Sequence, residues 1–482
     1  MVNHARDKGG RRPHGNGRHA VVIGGSLAGL LAAHVLAGHA DRVTVVERDR
    51  IPDGPEPRPG VPQSRHAHVL LESGQLALDS LLPGFTAELR AAGAPRVGMP
   101  EDMVAWSGGA WVRRTAPTTH IHTGSRAHLE HLVRRRVLAD PAIRTVESAE
   151  AVGLAGDASR VRGVLLRERG GTGGTAGAGA SGRRQRTLPA DLVVDASGRG
   201  SRAPQWLAAI GAEPPAEETI DTGQAYASRV YRDTGAHLGT EALAYWFYPN
   251  PAQTYAGGVL PLEDGSHLVA LAGLRGQEPP TDDAGFTAFA ARLPHPFLHE
   301  WLLTAEPRTP VYGFRATANL RRRYDRPGRR PAGFLATGDA LCTFNPIYGQ
   351  GMSVAAMSAV ALRDALADPR RRPTTLRVQR ALFDASRQAW DISAGADRAM
   401  PGAVGNAVAS RAVDRPVGWY LNRVQRRYVG DPALVGPVFR SVLTLTAPLS
   451  ALFAPRVARA VLFGPVARPP AAPPMRAETT GG

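Results

Sequence analysis

Residues 24–29, Gly24-Gly25-Ser26-Leu27-Ala28-Gly29, follow the spacing G-x-G-x-x-G except that serine stands at the middle glycine. A turn of this kind brings backbone N–H groups and the positive end of a helix dipole against a pyrophosphate. Gly24 permits the tight turn, and Gly29 lets helix and strand approach closely. Ser26 is small, and its hydroxyl is expected to cap the helix or donate to a phosphate. Glu47 stands where the fingerprint places an acceptor for a ribose 2′-hydroxyl. The chemistry implied is the binding of a dinucleotide.

Such residues need a strand, a turn, a helix and a second strand to hold them. Ala20-Val21-Val22-Ile23 is a short β-branched run that stops at the glycines, and Leu27 to Leu36 has helical spacing and ends at Gly38. Arg42 to Glu47 is a second strand ending in an acid, which completes a βαβ unit. Arg11-Arg12 followed by the apolar stretch 20–38 also imitates an export signal or a bilayer span. The glycine turn inside that stretch argues against both, so a cytoplasmic protein is expected.

Two later segments repeat the theme. Ala190 to Ser201 reads as a buried parallel strand running into a glycine turn, with Asp195 and Gly198 as candidate contacts. Gly333 to Ala340 is another strand ending in an acid, Asp339, followed by Pro346, Gly349, Gly351 and a helical run from Met352 to Leu366. One long ligand held by three separated strand ends fits a flavin dinucleotide better than a nicotinamide one.

With these residues in view, the chain resembles the FAD-dependent monooxygenases of the p-hydroxybenzoate hydroxylase type. Gly338-Asp339 looks like that family's GD motif, whose Asp contacts the ribityl chain, and Pro346 to Gly351 looks like its P-x-x-G-x-G loop at the pyrimidine end of the flavin. Asp195 to Ser201 looks like the D-G region, and Ser125-Arg126-Ala127-His128-Leu129 resembles the R-x-x-L helix start, where Arg reaches FAD. Arg48, Ala151 and Met352 complete the expected cofactor-binding set; Met352 replaces the Asn of the commoner pattern. The resemblance implies an α/β protein with a Rossmann-like FAD-binding fold of the glutathione-reductase type, an inserted antiparallel β-sheet substrate domain and a helical C-terminal extension.

Arg58 to His68, Phe344 to Ser353, and Trp390 ahead of Met400-Pro401-Gly402 are similar to the actinobacterial epoxidases of polyether biosynthesis, of the lasalocid and monensin type. This implies epoxidation of a carbon–carbon double bond in a lipophilic polyketide or terpenoid of secondary metabolism. Non-covalently bound FAD, reduced by NAD(P)H directly or through a separate flavin reductase, would react with O2 to a C4a-hydroperoxide that passes one oxygen to the alkene. No general base is needed at carbon, so no catalytic residue is assigned; His66 and Arg65, with His68, are the nearest candidates. An isoprenoid double-bond reductase, recommended by Trp246-Phe247-Tyr248-Pro249, and an aromatic hydroxylase are the alternatives. A halogenase is disfavoured, because no W-x-W-x-I-P segment exists and the single lysine, Lys8, precedes the first strand.

The expected organisation is a disordered tail over 1–18, a first FAD-binding part over 19–202, a substrate sheet over 203–330, a second FAD-binding part over 331–402, and helices with a tail over 403–482. The sheet should contain strands at 225–231, 243–248, 255–262 and 267–274, with Glu263 to Ser266 as a hairpin turn. Trp246 and Tyr248 are candidate substrate contacts; strand alternation turns half of the aromatics at 245–248 away from any pocket. Residues 170–186 read as a hairpin tip and the chain from Arg468 as a loose tail. Residues 437–462 either pack on the body, cap the substrate channel or make weak contact with a membrane surface; 441–455 is too short and too broken by proline to span a bilayer.

Composition closes several routes. The net charge of +16 comes from 58 Lys and Arg against 42 Asp and Glu, but the arginines are scattered and their denser groups lack interleaved aromatics, so no nucleic-acid partner is expected. One cysteine, Cys342, excludes an internal disulfide, and without a His/Cys cluster no metal site is expected. Cys342 is read as a small packing residue.

Overall fold

Residues 17–168, 185–232, 242–328, 330–409, 414–430 and 433–474 are described by a computed structural model of the chain. His19–Ile23 is buried at every position, as expected of a strand covered on both faces. It lies at the centre of a five-stranded parallel sheet, in the order Phe334–Ala336, Leu192–Asp195, His19–Ile23, Arg42–Val46, Ile143–Val146. Ile23 is level with both Val46 and Asp195. Three chain segments therefore leave the sheet side by side at its carboxyl edge, where ligands of such sheets bind. The helix Leu27–Ala37 is apolar almost all round, since it is enclosed by the sheet and by the helices Gly351–Ala367 and Arg126–Leu138.

A second sheet has seven strands, ordered Tyr312–Phe314, Ala225–Tyr231, His267–Gly273, Ala256–Pro261, Ala244–Phe247, Met103–Ser107, Ala110–Trp111. The two final strands come from before residue 203, so the expected boundary there does not enclose the sheet. Met103–Ser107 pairs in parallel with Ala244–Phe247, a long-range contact that local pattern does not announce. Alternation sorts the side chains cleanly. Tyr245, Phe247, Val259 and Leu271 pack outward with Phe286, Leu298 and Trp301 of two short helices, while Tyr226, Trp246, Leu260 and Ala270 belong to the core shared with the first sheet.

The helices Asp414–Tyr428, Val435–Leu443 and Pro455–Phe463 form a third cluster around Val424, Val435, Leu452 and Val461. They are fixed to the body: Gln388 donates to Val442 O and Ala447 O, and Ser73 N donates to Thr444 O. Residues 468–474 are not loose as expected, because Arg113 donates to Arg468 O and Arg114 to Pro474 O, at 3.0 and 3.1 Å. Among the described residues no helix is long and apolar enough to cross a membrane. Val161–Glu168 and Gln185–Pro189 pair antiparallel; the tip expected between them, like most of the N-terminal tail, lies outside the described residues.

Candidate functional site

The glycine turn is required by sterics. Gly24 has φ +103°, and a Cβ there would lie 2.5 Å from Ala196 O; a Cβ on Gly29 would lie 1.9 Å from Gly24 O. Gly24, Ser26, Leu27 and Ala28 face a large cavity, with Gly25 and Gly29 shaping the turn behind them. Ser26 departs from expectation: its side chain does not cap the helix but donates to Glu130 Oε2 at 2.7 Å and accepts from Arg126 Nη2 at 2.8 Å.

Glu47 accepts from Gly25 N at 2.9 Å and Asp49 N at 3.0 Å and pairs with Arg58 at 2.6 Å. A carboxylate offers about four acceptor sites, so room for one ribose hydroxyl remains. Arg58 is buried and reaches Glu130 at 2.8 Å and Gly25 O at 3.1 Å. Burial opposes its charge, but Glu130 and Glu47 hold its pKa above the ordinary value. Burial would likewise raise the Glu130 carboxyl; the Arg126 and Arg58 charges and the Ser26 hydroxyl hold it below the usual range. Glu130 was absent from the sequence expectations. Its signal was the Arg126 to Glu130 spacing of four on a helix capped by Ser125, whose Oγ accepts from His128 N.

Asp195 does not reach the cavity. It is fully buried and accepts from Ser197 N, Ser197 Oγ and Ser201 Oγ at 3.0, 2.6 and 2.5 Å, so it builds the turn that presents Ser197 and Gly198. Asp339 does line the cavity, and burial pushes its carboxyl up against the pull of Arg126, Arg199 and Arg322. Pro346, Gly349, Gly351 and Met352 line the same wall, and Gly349, at φ +64°, would place a Cβ 2.4 Å from Val69 Cγ2.

Distant residues hold that last loop. Asn345 accepts from Tyr226 Oη at 2.6 Å and donates to Asp397 Oδ2 at 3.0 Å; Tyr348 Oη and Asn319 Nδ2 donate to the same carboxylate at 2.6 and 2.7 Å. Asp397 is buried and its carboxyl is raised by burial. Nothing in the sequence linked Asn319 or Asp397 to the loop.

The cavity measures about 1120 Å³, more than the roughly 300–1,000 Å³ of a typical small-molecule site. Arg48, Arg126, Ala151 and Gly198 lie on its walls with the glycine turn. Met103, Trp246, Leu260 and Tyr248 line an apolar part, closed by Phe439, Val442 and Leu452 of the C-terminal helices. Trp246 and Tyr248 thus face inward, while Tyr245 stacks on Phe297 on the far side at 4.5 Å. His66 and His68 are in the wall; His66 hydrogen-bonds Ser228 Oγ at 2.9 Å, and burial with Arg65 nearby lowers its pKa to about 4. Burial and Arg126 lower His68 to about 3. Arg65 itself is exposed, stacked 4.4 Å over Tyr312 and outside the cavity, which removes it as a catalytic candidate.

The walls fit a flavin dinucleotide. Arg126 Nε is buried without a hydrogen-bond acceptor, the Asp339 carboxylate receives no hydrogen bond from a described residue while its backbone O takes one from Thr343 Oγ1 at 2.9 Å, and the helix Gly351–Ala367 starts at the wall. These supply a donor for an anionic or carbonyl oxygen, an acceptor for hydroxyls in the Asp339 carboxylate, and a positive helix end. Among the described residues no group of His, Cys, Asp and Glu could hold a metal ion. Cys342 is buried, and burial pushes its thiol up, which disfavours the thiolate form.

Residues 18–376 match the model of a family described as FAD binding domain. Protein Rv3254 of Mycobacterium tuberculosis is 36% identical over 353 residues, 72% of this chain and 73% of that protein. The structure of p-nitrophenol 4-monooxygenase PnpA from Pseudomonas putida DLL-E4 is similar at TM-score 0.59 and 16% identity, over 89% of this chain and 98% of that one. The flavin-dependent brominase Bmp2 is similar at TM-score 0.61 and 17% identity, over 92% and 97%. Two reactions on one fold mean that the fold does not choose between them.

Proposed function

The chain belongs to the FAD binding domain family, and on that premise we propose that it is a flavin-dependent monooxygenase epoxidising a carbon–carbon double bond of a lipophilic polyketide or terpenoid intermediate. The supporting observation is one cavity that joins the nucleotide-binding turn to an apolar chamber under the C-terminal helices. Bound FAD, reduced by NAD(P)H directly or through a flavin reductase, supplies the oxygen-activating chemistry.

This chain's own residues bind, orient and exclude water. Arg126 offers its free Nε–H to the cofactor, Asp339 accepts from its hydroxyls, and the Asp397 network holds the loop 345–351 in shape. Trp246 and Tyr248 place apolar area against a hydrocarbon substrate, and removal of water protects a reactive oxygen donor. His66 and His68, both neutral at pH 7, put no fixed charge in that wall. The single lysine of the chain is Lys8, so none of the described residues is a lysine that could handle hypohalous acid at the cavity.

FAD-loaded protein given NAD(P)H, with and without a flavin reductase, O2 and a conjugated polyene should yield a product heavier by one oxygen atom. A product heavier by two hydrogens assigns the double-bond reductase instead. Oxygen insertion only into phenols assigns the aromatic hydroxylase.

A further inference from the structure

We propose that the outer face of the C-terminal helices docks on an anionic lipid surface, which sets the mouth of the cavity against the bilayer. From residue 414 to 474 the sequence carries eight arginines and two acids, Asp414 and Asp431. Arg415, Arg426, Arg456 and Arg459 are exposed, and none pairs with a carboxylate among the described residues. Among the described residues the surface is thus cationic, with no carboxylate paired to these four arginines.

Apolar side chains share it. On the helix Pro455–Phe463 the buried residues Val457 and Val461 face inward, which leaves Arg456, Arg459 and Phe463 on the opposite side at spacings of three and four. Phe463 is 82% exposed, Trp419 57% and Val466 63%. Arg423 joins the two helices, with its guanidinium 5.3 Å from the Trp419 ring and its Nη2 donating to Leu462 O at 3.0 Å, next to Phe463. Phe453, also exposed, stacks on Tyr420 at 4.8 Å. Arginine beside exposed aromatics suits a headgroup layer, where the cation meets phosphate and the ring enters the acyl boundary.

Charge decides the occupant. A second copy would bring the same cationic patch against itself, which repels. Nucleic acid would satisfy the arginines but leave Phe463 and Val466 unused. Anionic lipid satisfies both. Of the expected stretch 437–462, Arg440 is buried with its Nε on Thr118 Oγ1 at 2.7 Å while Arg456 and Arg459 are exposed, so the surface is the outer side of Pro455–Phe463 together with that of Asp414–Tyr428. Arg415, Val417 and Gly418 are exposed and also line the cavity, so docking opens the chamber toward lipid. The inference stands on this surface and does not depend on which reaction the cavity performs.

The test is co-sedimentation of the full FAD-loaded chain with vesicles of phosphatidylcholine alone or mixed with phosphatidylglycerol, at low and high salt. Binding to the anionic vesicles should be at least about tenfold tighter and should weaken with salt. Arg456→Glu with Arg459→Glu should abolish the preference. Trp419→Ser with Phe463→Ser should weaken binding to both vesicles, and an unchanged flavin spectrum in both variants shows that the fold is intact. Equal binding to neutral and anionic vesicles, or variants that bind like the parent, overturns the proposal. So does capture by duplex DNA that survives the Trp419 and Phe463 changes, or a dimer in sedimentation that the arginine reversals dissociate.

Discussion

Arginine is used in opposite ways at the two ends of this molecule. Beside the glycine turn, Arg58 is sealed between Glu47 and Glu130, with each contact shorter than 3 Å. On the C-terminal helices Arg456 and Arg459 stand in solvent with no carboxylate among the described residues. A buried charge needs its partner in the same chain, because water is gone. An exposed one is held by water and stays available to something outside. The net charge of +16 therefore averages two populations, and only the second bears on partners.

The sharpest way to break this contrast is Arg58→Ala. It removes the cation shared by two buried carboxylates and should cost about 3–5 kcal/mol, with loss of bound flavin, read by thermal unfolding and the FAD absorption of purified protein. Arg58→Lys should recover only part of this, since one ammonium cannot fork between two carboxylates.

Next in size is a pH effect. His66 has a folded pKa of about 4, below an unfolded value of about 6.5. The unfolded chain therefore binds the proton more readily, and stability falls as pH drops through that interval, by roughly 3 kcal/mol from this residue. Chemical denaturation between these pH values measures it, and His66→Gln should flatten the slope; an unchanged slope would show that other groups carry it.

Smaller again is Glu88→Gln. It removes the partner of Arg135 and Arg136 at a partly exposed site and should cost no more than about 1 kcal/mol. At the bottom lies Arg459→Gln, expected within about 0.5 kcal/mol of the parent by thermal unfolding. A large loss there would mean that the C-terminal arginines have an internal role.

Much of the nucleotide end was legible in sequence because its determinants are local. A glycine whose Cβ would strike Ala196 O must be glycine, and an apolar run such as 20–23 must be a strand in a covered sheet. Alternation required half of the aromatics at 245–248 to turn away from the cavity, and Tyr245 and Phe247 do so. What could not be read was tertiary pairing. Asp195 had the right type and place for a ligand contact, but serines two and six residues later claim its oxygens. Ser26 was expected at a phosphate or a helix cap, and Glu130, over a hundred residues away, accepts its hydrogen bond. Met103–Ser107 joined the substrate sheet from outside its expected boundary. The Asn319 and Asp397 support of the flavin loop spans elements with no shared pattern.

The central claim is oxygen transfer in a chamber continuous with the FAD site. Its most direct test is turnover of a polyene by the FAD-loaded, reduced protein under isotopically heavy dioxygen. The account predicts one heavy oxygen atom in an epoxide, with none from solvent water. A product without heavy oxygen, or one that has gained only hydrogen, would contradict it.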